Sequence, residues 1–112
     1  MFLDDQSDPV HDRYVFAYHV RISNAGSNTV QLLRRHWIID EGDGTVREVQ
    51  GDGVVGEQPV LEPGQAHEYS SSAILHGPVG SMHGSYQMRD EDGETFNVGI
   101  PEFALKMPRT LH

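Results

Sequence analysis

RYVFAYHVRIS, residues 13–23, alternates: Tyr14, Phe16, Tyr18, Val20 and Ile22 share one face, and His19 and Arg21 share the other. Period two with one apolar face is the signature of a half-buried β-strand. NAGSN (24–28) then supplies the Asn, Gly and Ser with which a chain reverses.

The next run, TVQLLRRHWIID (29–40), is rich in strand formers, but its alternation breaks. Val30 and Leu32 share a parity with Ile38, whereas Leu33, Trp37 and Ile39 share the other. A bulge near Arg34–Arg35 reconciles the halves by shifting the phase by one residue. EGDGT (41–45) adds an Asp-Gly hairpin turn, and TVREV returns as its second strand.

The second half follows the same logic. EPGQ (62–65) turns into AHEYSSSAIL (66–75), a strand with a hydroxyl-rich middle, and HGPVG (76–80) turns again. SMHGSYQMRD (81–90) and ETFNVGI (94–100) flank the Asp-Gly of DEDGE as a hairpin, and IPEFALKMP (100–108) reads as a short edge-like strand between two prolines. No stretch has a helical period with caps. Turn signals roughly every 8–12 residues between short strands predict an all-β antiparallel sandwich.

The chain has 112 residues, which predicts one domain spanning 1–112 and a core that buries roughly two-thirds of the unfolded surface. It has no Cys, which excludes disulfides, thiolate zinc sites and Cys nucleophiles. MFLDDQSDP is acidic and reaches Pro9 early, unlike a signal or transit peptide. No apolar run approaches the ~20 residues of a membrane span, so the expectation is a cytoplasmic protein without a membrane partner. The net charge of −9 argues against nucleic acid, where affinity rests on Lys and Arg meeting phosphates.

GDGVVG (51–56) matches the G-x-G-x-x-G pattern of phosphate-cradling loops, through Gly51, Gly53 and Gly56. A dinucleotide fingerprint needs a strand before it and a helix after it. TVREV supplies the strand. The following EQPVLEPGQ carries Pro59 and Pro63, and a proline inside a helix costs ~3 kcal/mol. Glu41, Asp43, Glu48, Asp52, Glu57 and Glu62 surround the motif against Arg47 alone. A structural loop is the favoured reading, with a turn-shaped anion nest as the alternative.

His67, His76 and His83 lack metal-ligand spacing, and Ser70, Ser71 and Ser72 lack a nucleophile elbow. Asp90 and Asp92 sit in a turn, where Asp bonds its own backbone. No catalytic or metal residue and no cofactor is therefore assigned. Arg34-Arg35-His36-Trp37 carries two compatible readings. In one, Trp37 fills the core and the bulge turns Arg and His outwards; in the other, Arg35, His36 and Trp37 form an interaction patch, since Arg and Trp dominate interface energetics.

Five runs together resemble the ApaG domain family: QSDP…RYVFAYHVRISN, VQLLRRHWIID, EVQGDGVVGEQPVLEPGQAHEYSS, GSMHGSYQM and IPEFALKMPRTLH. The resemblance covers nearly the whole chain, and its R-R-H-W and G-x-G-V-V-G-E-Q-P blocks are specific. It implies a fibronectin type III-like, immunoglobulin-like β-sandwich. It further implies a bacterial protein often encoded beside a diadenosine tetraphosphatase, and an older name, CorD, that links the family to cobalt and magnesium tolerance. Similar domains in F-box and polymerase-interacting proteins imply a protein-binding module. The family begins with a further strand, whereas Met1 here stands almost directly before the DDQSDP segment. The leading expectation is a non-enzymatic protein-interaction module. The alternatives are a nucleotide or pyrophosphate sensor at Gly51–Gly56 and a divalent-metal binder, and a homodimer through unpaired edges is compatible with each.

Overall fold

The computed structural model describes residues 1–108, in which the strands are β1 (Tyr14–Ser23), β2 (Val30–Asp40), β3 (Val46–Asp52), β4 (Val60–Leu61), β5 (Ala66–Leu75), β6 (Val79–Asp90) and β7 (Thr95–Lys106). They form an antiparallel sandwich of the fibronectin type III-like class. One sheet is β1–β5; the other runs β3-β2-β6-β7, with β4 also pairing to β2. The RTLH end of the closing run lies outside the described residues.

β1 behaves as its alternation requires. Phe16 is buried, Tyr18, Val20 and Ile22 are partly buried, and His19, Arg21 and Ser23 are exposed. It pairs with β5 along its whole length, Tyr14 opposite Leu75 and Ser23 opposite Ala66. The chain before β1 makes short 3₁₀ turns at Asp4–Gln6 and Pro9–His11, and Phe2 bridges back to Phe16.

In β2 the phase shift is a bulge, located one residue before the expected Arg34–Arg35. Leu32 pairs with Met88 and Arg34 with Gln87, so Leu33 is the extra residue. Val30 and Leu32 therefore face inwards before it, and Arg35, Trp37 and Ile39 face inwards after it. A second correction concerns residues 100–108. They do not form a separate strand but continue β7, because a one-residue register shift sets Pro101 and Glu102 against His83. Proline is tolerated there because β7 is a sheet edge.

The core has a patch around Phe16, Trp37, Leu75 and Met82 and another around Leu32, Val54, Tyr86 and Met88, joined through Tyr18, Val20 and Ile100. Trp37 is 2% exposed and takes edge-to-face contacts from Tyr18 (5.4 Å), Phe103 (5.9 Å) and Tyr86 (6.3 Å). Such pairs add about 0.5–1.5 kcal/mol each beyond area burial. This cluster ties the two sheets together at the centre. On one flank Arg47 Nη2 of β3 donates to the Ile74 carbonyl of β5 at 2.7 Å; on the other, β1 lies along β7.

Candidate functional site

The bulge in β2 leaves the Leu33 carbonyl outside the β2–β6 ladder, and a buried unpaired carbonyl is costly. The stretch 53–59 meets that need. The Gly53 N–H donates to Leu33 O at 2.8 Å and Gln58 Nε2 donates to the same oxygen at 2.9 Å. The Leu32 N–H in turn donates to Pro59 O at 3.0 Å. GDGVVGEQP is thus the loop that completes a broken strand.

Each glycine of the motif then has a local reason. Gly51 is not in a loop at all; it lies in β3 directly opposite Arg35. A Cβ there would stand 2.8–3.0 Å from the Arg35 guanidinium, so the bare Cα lets the planar group lie over the strand. Arg35 Nη1 donates to the Asp52 and Gly53 carbonyls, both at 3.0 Å. Gly53 (φ +63°) turns so tightly that a Cβ would meet Glu57 O at 2.3 Å. Gly56 (φ +78°) shares a turn with Val55 (φ +47°), closed by mutual hydrogen bonds between Val54 and Glu57. Within the loop the Gly53 N–H goes to Leu33 and the Val54 N–H to Glu57, whereas the Val55 and Gly56 N–H groups at the exposed tip of the turn have no partner among the described residues.

The residues Arg35, His36 and Trp37 do not share a surface. Arg35 and Trp37 face between the sheets, and Trp37 is core. His36 faces outwards in a shallow polar depression of about 290 Å³ with Arg34, Gln50, Ser85, Gln87 and Asn97. What the structure does bring together is Arg35 with the glycine motif, a pairing that the sequence leaves unlinked.

Between the sheets, beside Arg35, the Tyr69 and Tyr86 hydroxyls hydrogen-bond to each other across the sandwich. Burial pushes the Tyr69 hydroxyl up to about 12, against the opposing hydrogen bond from Tyr86 and the nearby Arg35 charge. Burial, reinforced by the bond to Tyr69, pushes Tyr86 up as well.

The histidines stay apart. His67 lies 3.6 Å from Glu57, and His76 Nδ1 lies 2.8 Å from Glu41 at the opposite end of β5. Glu41 is buried and also meets Arg47 at 3.7 Å. Among the described residues no group of three or more His, Asp or Glu side chains is placed to hold a metal ion. The serines diverge: Ser71 faces inwards, Ser70 and Ser72 outwards. Ser70 Oγ sits 2.9 Å from His19 Nδ1, and His19 Nε2 sits 3.3 Å from Glu68. This Ser–His–Glu row arises from β1–β5 register and was invisible in sequence. Its His and Glu side chains are more than half exposed, so water screens the row, and it lacks the enclosure that makes such relays effective. Asp90 Oδ1 accepts from the Asp92 and Glu94 amides, as a turn aspartate does.

The ApaG domain family matches residues 4–90. This chain belongs to the ApaG family. Protein ApaG of Aromatoleum aromaticum is 56% identical over 111 residues, covering 99% of this chain and 87% of the relative. Protein ApaG of Nitrosomonas europaea is 58% identical over 112 residues, covering 100% and 88%. The crystal structure of the putative ApaA protein from Bordetella pertussis superposes with a TM-score of 0.91 at 51% identity, over 97% of this chain and 89% of that one.

On the ApaG sandwich the second notable feature is the flank where β1 meets β7. β7 ends its sheet, and its first half, Thr95–Ile100, carries neither charge nor proline. Phe96 is 42% and Val98 39% exposed. Beside them an apolar groove of about 430 Å³ runs over Ile22, Val30, Leu61 and Met88. No helix among the described residues is long and apolar enough to cross a membrane.

Proposed function

We propose that this ApaG chain is a non-catalytic protein-binding module that docks an extended segment of a partner on the free edge of β7. The observation that carries the reading is the uncharged Thr95–Ile100 edge with its adjoining apolar groove. Natural edge strands are blunted by Lys, Pro or bulges, because an open ladder recruits other strands. In β7 those devices sit only in the second half, at Pro101, Glu102 and Lys106. The first half has the donors and acceptors for strand addition, and its inward side chains offer a surface for alternate apolar residues.

Charge selects the occupant. Asp90, Glu91, Asp92 and Glu94 crowd one end of the edge and Glu102 stands at the other. A second copy pairing antiparallel about Val98 would set Glu94 against Glu102, and like charges directly opposite are destabilising. The fitting partner is a strand with apolar alternate residues and basic ends.

Capture with wild type and Val98→Lys, followed by hydrogen exchange on the recovered complex, tests this reading. Wild type should retain a discrete partner, with slowed exchange at residues 95–100, and Val98→Lys should lose it while unfolding at the same temperature within about 2 °C. Equal retention by both proteins, or protection elsewhere, refutes the docking site.

A further inference from the structure

Arg35 presents an unusual electrostatic situation in so acidic a chain. Its guanidinium points between the sheets, held by two carbonyl oxygens, and among the described residues it has no carboxylate partner. Arg47, the other inward arginine, has Glu41. With Nη1 occupied, the Nε and Nη2 edge of Arg35 makes no hydrogen bond among the described residues. That edge is the parallel two-donor fork that grips an oxyanion in bidentate fashion. Gly51 fixes its pose, since any side chain there would displace it.

The surroundings are rich in donors. A cavity of about 300 Å³ lies between Arg35, Tyr18, Tyr69, Ser71 and the Val55–Gly56 turn. A second, of about 290 Å³, shares Arg35, Tyr18 and Ser71 and reaches Trp37. Neither the Tyr18 hydroxyl nor the Ser71 hydroxyl has a hydrogen-bond partner among the described residues, and the Val55 and Gly56 amides are unpaired as well. The buried Trp37 Nε1 also lacks a partner. A guanidinium edge, two hydroxyls and two amides converge from β1, β2, β5 and the loop after β3. Of these donors Trp37 Nε1 is fully buried, Arg35, Tyr18 and Ser71 are half-buried, and the Val55–Gly56 turn stands at the mouth, so the donors line a path from solvent inwards that suits a ligand that accepts.

We infer that Arg35, Tyr18 and Ser71 form a binding site for a small, singly charged oxyanion, a carboxylate carried by a short acid or by a chain terminus. One guanidinium balances one negative charge. Asp52 at the cavity wall, Glu57 beside it and the net charge of −9 oppose a polyphosphate. The site stands independently of docking at β7, on the opposite flank of the sandwich.

The test is amide chemical-shift titration of the whole chain with propionate, acetyl-Ala-Ala bearing a free carboxylate, its carboxamide, inorganic phosphate and pyrophosphate. Saturable shifts at Val55, Gly56 and Ser71 are expected with a carboxylate, and none with the carboxamide. Propionate and the dipeptide separate a free acid from a chain terminus as the source. Arg35→Gln should weaken binding at least about tenfold, the loss of a charge-assisted bidentate contact. Gly51→Ala should do the same in a folded protein, because its Cβ meets only the mobile end of Arg35. Arg35→Lys keeps the charge without the fork and should fall between. The inference is overturned by silence of both carboxylates up to about 100 mM, far beyond the millimolar range of a weak specific contact. Binding unchanged in both Arg35→Gln and Gly51→Ala, or shifts with phosphate or pyrophosphate alone, overturns it equally.

Discussion

Val55 is a β-branched residue held at φ +47°, and Gly56 follows at φ +78°. Two consecutive left-handed residues, closed by the Val54–Glu57 hydrogen bonds of 2.8 and 3.0 Å, make a type I′ turn. The left-handed region costs an L-residue about 1–2 kcal/mol, and a branched Cβ lies at the upper end of that range. Asn-Gly is the pair this turn prefers, because Asn adopts left-handed backbone readily. Val55 is 63% exposed, so replacing it forfeits about 0.5 kcal/mol of burial. Val55→Asn should therefore stabilise the fold by about 1 kcal/mol, which for a chain of this size raises Tm by about 4 °C. Urea unfolding should show a higher midpoint at an unchanged slope, marking a change in stability rather than in the unfolded ensemble. A Tm that stays put or falls would refute the reasoning, since the Val55 side chain would then be worth more than its backbone strain.

Other expected outcomes concern the interior. Tyr86→Phe leaves the buried Tyr69 hydroxyl unpartnered and should cost about 1–3 kcal/mol, whereas Tyr69→Phe/Tyr86→Phe together should cost less than the sum of the single changes in a double-mutant cycle. Both tyrosines bind their proton more tightly folded than unfolded, so the stability they lend is complete below about pH 10 and drains as pH rises towards about 12; ultraviolet titration should show tyrosinate absorbance appearing late, together with loss of the fold. Gly84→Ala should cost more than about 3 kcal/mol by urea unfolding, since its Cβ would stand 2.0 Å from the His36 carbonyl across the β2–β6 pairing and force the strands apart.

The strands were legible because their signals are local. Period two in 14–22, Asp-Gly turns at 43–44 and 92–93, and the broken parity of 29–40 each depend on near neighbours alone. The exact bulge residue was not, because either Leu33 or Arg34 restores the phase, and only the partner atoms choose. Gly53 N–H and Gln58 Nε2 select the Leu33 carbonyl from twenty or more residues away. The Pro101 region misled for a related reason. A proline flags an interruption in any strand, but the β6 register turns it into a bulge within one strand. The Ser70–His19–Glu68 row shows the same limit from the other side, since separations of 51 and 49 residues become contacts only once β1 and β5 are in register.

The R-R-H-W and G-D-G-V-V-G-E-Q-P blocks gain their meaning from each other. The bulge at Leu33 moves Arg35 onto the inward parity, where a charge between two sheets is expensive unless it is well bonded. β3 answers with Gly51, which makes room, and with the Asp52 and Gly53 carbonyls, which accept from one side of the guanidinium. The loop beyond answers the bulge itself through Gly53 and Gln58. A chain needing only a stable core would meet the same geometry more cheaply with a straight β2 and an apolar residue in place of Arg35, since swapping buried charge for well-packed apolar groups is commonly neutral or stabilising. Bulge, glycines and arginine together make sense as a device that presents the remaining edge of one guanidinium to the space between the sheets.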